Sequence, residues 1–280
     1  MKYDRLILQK EGYIAIVTFN RPEVGNSFDF RLMEEIDHVL RALDEDSNIR
    51  AVIITGAGKY FCTGVDLSIF VNPEAREKEQ IGEKDIASSR VQEETGEVPW
   101  GKGTVVGAVV VMRNMRKPVI AAVNGPAVGL GFSLALAADI RIASDRAKFS
   151  AVFIKRGVAP DTGASFTLPR VVGFPKALEL FLTGDMIDVA EAERIGVVNK
   201  VVPHDEVMKA AKEMAEKIAR NPPLAVALTK EALYQSAAET DIIEQMKHEI
   251  EYQDKLLSTE DFQEAARAFL EKRPPVFKGR

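Results

Sequence analysis

Cysteine and histidine are scarce in this sequence, and their scarcity excludes several kinds of site. The single cysteine, Cys62, cannot form an intrachain disulfide and offers no metal-binding spacing. The three histidines are scattered along the chain, without the spacing of a zinc site or the partner pattern of a nucleophilic triad. We therefore expect no bound metal ion.

Long apolar runs and a large excess of one charge are missing as well. No apolar run approaches the roughly 20 residues that a membrane-spanning helix needs. A net charge of −5 gives no reason to expect a nucleic-acid partner. Strand-like sequence begins so early that we expect no signal or transit peptide. The content of 46% hydrophobic and 28% charged residues is typical of a soluble globular enzyme, which we expect in the cytoplasm.

The segment 118–133 predicts a buried strand that runs into a glycine-rich helix start. Residues 119–123 are wholly apolar and β-prone, a turn signal follows at 124–126, and a helix of small residues comes next. Gly129 and Gly131 then lie at or near the helix N-terminus, where backbone N–H groups lack intrahelical partners. Glycines at such a place either let an anion or a developing oxyanion approach the backbone, or serve a tight corner by packing alone.

A second segment repeats this pattern. The apolar residues 51–55 predict another buried strand, and the glycine-marked turn after them can offer a free N–H near Val65. Two such donors that converge on one oxygen would form an oxyanion hole, in which each donor contributes roughly 3 kcal/mol in comparable enzymes.

Together these segments resemble the enoyl-CoA hydratase/isomerase family, also called the crotonase superfamily. The resemblance implies an α/β fold, a spiral of ββα units with a C-terminal helical region. It covers almost the whole chain in family order. The matching segments are 20–23 with Asn26, 58–67, 117–125, 138–143, 157–163, 182–184 and 192–198.

The resemblance also implies that the chain has two regions with different roles. Residues 1–203 would form the acyl-CoA-binding core, and residues 204–280 a helical cap that makes a homotrimer or homohexamer. Coenzyme A would enter as part of the thioester substrate, and no prosthetic group is implied. By position, the residues expected to contact it are Glu23, Val24, Thr63, Val65, Asp66, Leu67, Gly129, Phe262 and Lys272.

Three of these assignments have a competing interpretation. Asp66 lies beside the predicted hole and could serve as a base, but in relatives this aspartate is mainly structural. Phe262 could equally be an interface anchor, and Lys272 a surface charge.

The acid/base positions of the family set this chain apart from the hydratases. The two oxyanion donors fall on the backbone N–H groups of Val65 and Leu130. Hydratases of the family hold water between two glutamates, and those positions here are Ser133 and Phe153. Neither side chain can act as a base, so a two-glutamate hydration is excluded.

Asp161 is the remaining candidate for acid/base chemistry. Certain isomerases of the family place a catalytic aspartate at this position. Apolar neighbours such as Phe153 and Val158 would raise the pKa of its carboxyl group, which suits a group that takes a proton and returns it. An aspartate between proline and a following glycine turn is also a good turn residue or N-cap.

One base and an oxyanion hole suffice for a 1,3-proton shift, so we predict an isomerase of enoyl- or dienoyl-CoA. The alternatives are a hydratase or hydrolase of an unusual acyl-CoA, such as a cyclic one, and a non-catalytic CoA-ester-binding protein. The charged segment 72–103 is either a lid with Trp100 in the pocket wall or a solvated helix and loop. For hydration it could supply a second acid, from Glu83, Asp85, Glu93, Glu94 or Glu97.

Overall fold

The computed structural model of the protein describes residues 3–72 and 105–280. The predictions for the segment 73–103, including Trp100 and the five acidic side chains, lie outside the described residues. Within the described residues, no helix combines the length and the apolar character needed to cross a bilayer.

A six-stranded sheet forms the centre of the fold. Its order is β1–β2–β3–β4–β6–β9; β1 and β2 are antiparallel, and every other neighbouring pair is parallel. The apolar residues 6–8 and the β-prone residues 13–19 predict a hairpin across Gly12. This prediction is confirmed, since Leu6 pairs with Phe19 and Glu11 with Ile14. The strands are β1 (Leu6–Glu11), β2 (Ile14–Phe19), β3 (Ala51–Gly56), β4 (Val119–Val123), β6 (Ile140–Ser144) and β9 (Lys200–Val202).

A small second sheet stands beside the first. It consists of β5 (Ala127–Val128), β7 (Lys148–Ser150) and β8 (Met186–Asp188), with β5 parallel to β7 and β7 antiparallel to β8. Because β5 lies between β4 and the glycine-rich helix start, this sheet fixes the path of the segment that carries Gly129.

Helices interrupt the strands in the first two thirds of the chain. Two of them begin with an aspartate cap. Asp29 accepts a hydrogen bond from the Leu32 N–H. Asp188 with Glu191 three residues later is the sequence pattern of a capped helix start, and its side chain accepts the Glu191 N–H as this pattern predicts. The helices are α1 (Phe30–Glu45), α2 (Ser68–Val71), α3 (Val105–Asn114), α4 (Leu130–Ala137), α5 (Ala164–Val172), α6 (Phe174–Thr183) and α7 (Val189–Arg194).

After β9 the chain is helical. The helices are α8 (Val207–Ala219), α9 (Pro223–Ser236), α10 (Ile242–Leu257) and α11 (Glu260–Glu271). The mixed α/β fold with a C-terminal helical region, expected from the resemblance, is confirmed.

The central strands are buried on both faces, which explains their continuous apolar sequences. Alternate side chains such as Val52 and Ile54 join one core with α1, α3 and α4. Their neighbours, such as Ile53, join a second core that Ala211 and Ala215 of α8 complete. Helix α8 therefore packs on the sheet, although it lies beyond the predicted boundary at residue 203. The division into two domains stays a prediction.

The β-prone residues 197–202 predict a last strand, but the strand in the structure is shorter and begins at Lys200. The two residues that precede it by one and three positions bond to Arg141 through a side chain and a carbonyl. The Asn199 side chain accepts a hydrogen bond from the Arg141 N–H at 2.8 Å, and the Val197 carbonyl accepts one from the Arg141 guanidinium at 2.6 Å. Val197 and Val198 remain in the core.

A buried lysine fastens the C-terminal helices to the core. Lys230 of α9 donates to the Asp139 carboxylate at 2.8 Å and to the carbonyls of Met112 and Lys117 at 2.8 and 3.1 Å. The Tyr234 hydroxyl donates to the other Asp139 oxygen at 2.7 Å. Burial lowers the pKa of Lys230, and Asp139 counteracts this shift.

We expect Lys230→Ala to lower the free energy of unfolding by about 3 kcal/mol, because it leaves the partly buried carboxylate of Asp139 without its cation. Urea denaturation followed by circular dichroism measures the loss. The matched control is Lys212→Ala on α8, whose ion pair with Glu11 is exposed to water and should contribute less than about 1 kcal/mol. Equal losses for the two variants would contradict the anchoring role of Lys230.

Candidate active site

The two predicted glycine turns pack directly against each other. The turn after β3 and the segment after β4 pair at Cys62 and Ala127, and the Val128 N–H donates to the Cys62 carbonyl at 2.9 Å. A Cβ atom added at Gly131 would lie 2.2 Å from that carbonyl oxygen. Glycine at 131 is therefore required by the close approach of the two backbones.

This contact brings the two predicted oxyanion donors, Val65 and Leu130, to neighbouring places. Leu130 is the first residue of α4, so its N–H has no acceptor within the helix. A Cβ at Gly64, the residue before Val65, would lie 3.8 Å from the Leu130 nitrogen. Within residues 3–72 and 105–280, neither N–H group donates a hydrogen bond. Each N–H is thus free to donate, and their convergence on one acceptor oxygen stays a prediction.

The loop that carries Glu23 and Val24 is tied to the first glycine turn. The Thr63 N–H donates to the Gly25 carbonyl at 3.0 Å, and the Asn26 side chain donates to two carbonyls of the turn. Glu23 and Val24 lie in a 3₁₀ turn, exposed to solvent. The structure therefore places the predicted CoA-contacting loop beside the candidate hole.

Asp66 has a structural environment. Its carboxylate accepts hydrogen bonds from the N–H and the hydroxyl of Ser68 and from the Arg21 guanidinium. Desolvation alone would raise its pKa, but the Ser68 bonds and Arg21 outweigh it and lower the pKa. A carboxylate held in its ionised form at the start of α2 supports the structural interpretation. Leu67, the next residue, is half exposed.

Arg21 lies in a segment that carries the family resemblance, but the sequence pattern gave it no role. Its guanidinium is buried, donates to the Ser27 carbonyl at 2.6 Å and lies 3.3 Å from the Asp29 carboxylate. With its bond to Asp66 it joins the first loop to the turn of the candidate hole. Its three partners, Ser27, Asp29 and Asp66, lie at separate places in the sequence, and local sequence patterns do not connect them with Arg21.

Phe262 and Lys272 lie apart from this group. Phe262 is in the first turn of α11 and partly exposed, and Lys272 ends that helix in a left-handed conformation. No hydrogen bond, ion pair or ring contact found among the described residues joins either one to the loops around Val65 and Leu130. Their role in binding CoA stays a prediction.

Asp161 lies on the loop before α5, a helix that packs against α4. Its backbone carbonyl accepts the Ala164 N–H at 2.9 Å, as expected of a turn residue. Water reaches the side chain, but desolvation by the surrounding protein raises the pKa of its carboxyl group. The Thr162 hydroxyl, at 3.1 Å, and the backbone N–H of Asp161 itself oppose that shift. The direction of the shift agrees with the sequence-based expectation.

The two positions where hydratases carry glutamates are buried and uncharged here. Ser133 is in α4, and its hydroxyl donates to the Gly129 carbonyl at 3.3 Å. Phe153 packs in the core with its ring 6.4 Å from that of Phe181. Neither residue can move a proton to or from a substrate carbon.

Because the pKa of Asp161 is raised, activity and the contribution of this group to stability should change with pH in opposite directions. If Asp161 is the base, activity falls as the pH falls through its raised pKa, so the acid limb of kcat/KM lies above the ordinary aspartate pKa of about 3.9. A folded-state pKa above the unfolded one means that the folded protein binds the proton more tightly, so this group's contribution to stability grows as the pH falls. Asp161→Asn should therefore not lower the unfolding free energy at pH 7. A pH–rate profile checks the position of the acid limb, and urea denaturation checks the stability. A large loss of stability in Asp161→Asn would contradict the predicted effect of this group on folding.

Comparison with models of known families matches residues 9–280 to enoyl-CoA hydratase/isomerase. The chain belongs to this family, and with it to the crotonase superfamily.

Its relatives match over nearly their whole length. A short-chain-enoyl-CoA hydratase of Clostridium acetobutylicum is 39% identical over 98% of this chain and 97% of its own. A crotonyl-CoA hydratase of Syntrophomonas wolfei is 36% identical over 99% of each chain. The crystal structure of an enoyl-CoA hydratase from Bacillus anthracis has a TM-score of 0.86, with 33% identity, over 99% of this chain and 100% of its own.

Proposed function

We propose that this protein moves a double bond along the acyl chain of an enoyl- or dienoyl-CoA thioester, with Asp161 as the only acid and base. The observation that carries this proposal is a carboxyl group of raised pKa on the loop before α5, in a chain whose glutamate positions hold Ser133 and Phe153. A single proton-transfer group is sufficient for a 1,3-proton shift, whereas a two-glutamate hydration requires two such groups.

The oxyanion hole would supply the larger part of the catalysis. The N–H groups of Val65 and Leu130 would donate to the thioester oxygen, which gains negative charge as the enolate forms. Donors that are already in place at that oxygen each contribute roughly 10²- to 10³-fold to the rate. Because the donors belong to the backbone, the side chains at 65 and 130 need no special chemistry.

The proton would travel by way of Asp161. Its carboxylate would take a proton from the carbon next to the double bond, and the electrons of the C–H bond would form a dienolate held at its oxygen by the hole. The carboxylic acid would then return the proton to the far end of the conjugated system, which restores the thioester carbonyl. No atom is gained or lost, and Asp161 ends in its starting form.

Coenzyme A would lie along the loops that hold Glu23, Val24, Thr63 and Leu67, next to Gly129. Phe262 and Lys272 would reach the CoA of a neighbouring subunit in a homotrimer or homohexamer, since they lie away from the site within one chain. The C-terminal helices offer exposed apolar side chains for such contacts. These include Leu233, Ile242, Ile250, Phe269 and Leu270.

A hydratase is the second candidate, because the relatives at 39% and 36% identity carry that name. Water addition requires activation of water as well as protonation at carbon, so an enzyme with Asp161 alone would need a second acid. That second acid would come from the segment 72–103, and the substrate would be an unusual acyl-CoA, such as a cyclic one.

Proton NMR in deuterated water separates the two candidates. The purified protein is incubated with 2-enoyl-, 3-enoyl- and dienoyl-CoA esters of several chain lengths. A shifted alkene with deuterium at Cα or Cγ is the result that we expect. A hydroxyl-bearing carbon without a shifted alkene would establish hydration and overturn the isomerase. Tight thioester binding with no exchange at either carbon would instead indicate a non-catalytic binding protein.

A further inference from the structure

One serine holds the peptide group that carries the predicted Leu130 donor. This peptide group has the carbonyl of Gly129 at one end and the N–H of Leu130 at the other. The Gly129 oxygen accepts the backbone N–H of Ser133 at 3.0 Å and the Ser133 hydroxyl at 3.3 Å. The serine that replaces a family glutamate therefore contacts the back of the candidate hole.

The direction of the Leu130 N–H depends on these bonds. A trans peptide group is planar, so its carbonyl and its N–H point in opposite directions and turn together. The residue before the bond is Gly129, with φ 54° and ψ −119°, a conformation that only glycine adopts readily. Since glycine restrains the rotation weakly, bonds from outside must fix it. The Gly129 N–H is fixed by the Ser150 carbonyl at 2.9 Å, and its carbonyl by Ser133.

The hydroxyl bond also changes the strength of the donor. A hydrogen bond to a carbonyl polarises the peptide group, and the N–H at its other end becomes a better donor. Serine in a helix often bonds to the carbonyl four residues before it. What distinguishes Ser133 is that its acceptor belongs to the peptide whose N–H is free for a ligand.

The second donor is held differently. The carbonyl of Gly64, in the peptide that carries the Val65 N–H, accepts the backbone N–H of Phe28 at 2.8 Å. The Cys62 sulfur lies 3.9 Å from the same oxygen, a longer and weaker contact. The main chain therefore dominates on this side, whereas a replaceable hydroxyl acts on the Leu130 side.

We propose that Ser133 is a positioning residue of the oxyanion hole: its hydroxyl orients and polarises the Gly129–Leu130 peptide group so that the Leu130 N–H holds the thioester oxygen. This proposal rests on the proposed function, in which that oxygen becomes an enolate. Ser133 takes no part in the proton transfer.

The test compares Ser133→Ala with Thr55→Val. Both hydroxyls are buried and donate to a backbone carbonyl, but the Thr55 hydroxyl bonds to Ala122, on the neighbouring strand of the central sheet, at 2.8 Å. The Leu130 donor is expected to contribute 10²- to 10³-fold, and a loss of 10–30% of that free energy predicts a kcat about two- to eight-fold lower in Ser133→Ala, with KM unchanged. Thr55→Val should keep the kcat of the wild type. Ser133→Cys, similar in size and a weak donor, serves if the alanine variant fails to fold.

A spectroscopic readout separates positioning from a general loss of structure. The carbonyl ¹³C resonance of [1-¹³C]crotonyl-CoA is measured at saturation in the Asp161→Asn background, alone and with Ser133→Ala or Thr55→Val. We expect a downfield shift on binding that is reduced by Ser133→Ala and kept by Thr55→Val. An unchanged shift in Ser133→Ala would overturn the role of Ser133 alone. A bound thioester without any shift, or no binding, would overturn the oxyanion hole and the proposed function with it.

Discussion

Replacing Asp161 by asparagine is expected to lower kcat by about 10²- to 10⁴-fold, the range that a positioned acid/base group contributes. Asparagine has nearly the same shape, and its side-chain oxygen can still accept the Thr162 hydroxyl that Asp161 accepts at 3.1 Å. The loops proposed to contact CoA do not include Asp161, so the dissociation constant of the thioester should change little. Steady-state kinetics gives kcat, and calorimetric titration with the thioester gives the affinity.

The control for this substitution is Asp185→Asn. Asp185 is an exposed aspartate in the turn after α6, paired with Lys155 at 2.7 Å, and it lies outside the candidate site. It should leave kcat and thermal stability close to those of the wild type. An Asp161→Asn variant with full turnover would remove Asp161 from the mechanism and direct the search for an acid to residues 72–97.

The names of the relatives and the residues of this chain point to different reactions. Hydratases named in the comparisons share the fold and more than a third of the sequence. Yet Phe153 is buried against Phe181, where no carboxylate could be ionised without a large desolvation cost. The proposed hole for the thioester enolate is compatible with both reactions, because hydration and isomerisation both need it. The proton-transfer groups then decide between the reactions.

Features with local causes were predictable from the sequence. The hairpin around Gly12 and the cap at Asp188 depend on residues close together in the chain. The start of α4 at Leu130 followed from a turn signal and two glycines. Asp161 was found through the family resemblance, and desolvation in the fold gave the expected direction of its pKa.

Features with distant partners were not predictable in the same way. The requirement for Gly131 comes from the Cys62 carbonyl, which lies on another strand's turn. Lys230 hydrogen-bonds to Asp139, which lies 91 residues earlier in the sequence. The start of the last predicted strand was wrong: the strand begins at Lys200, and the Asn199 side chain before it hydrogen-bonds to Arg141, a contact that residue propensities do not contain. Each of these contacts exists only once the fold has brought its partners together.

Removal of the Leu130 N–H alone should lower kcat by about 10²- to 10³-fold, the loss measured when one oxyanion donor is deleted from comparable enzymes. The side chain of Leu130 is buried, so a proline would remove core packing together with the donor. Incorporation of the α-hydroxy analogue of leucine replaces this one amide by an ester and keeps the side chain. Since the N–H has no acceptor in the helix, the fold loses no hydrogen bond there.

The matched control is the same exchange at Gly131, the next residue of α4. Its N–H also lies in the first turn, where helices leave four such groups without intrahelical acceptors, but it is not one of the two predicted donors. Each ester also weakens the carbonyl of its own linkage as a hydrogen-bond acceptor. The difference in kcat between the two variants therefore reports the loss of the Leu130 N–H donor. We expect a large loss of kcat at 130 and a small one at 131, with thermal unfolding alike. Equal losses would mean that the whole helix start binds the oxygen, and no loss at 130 would exclude Leu130 as a donor.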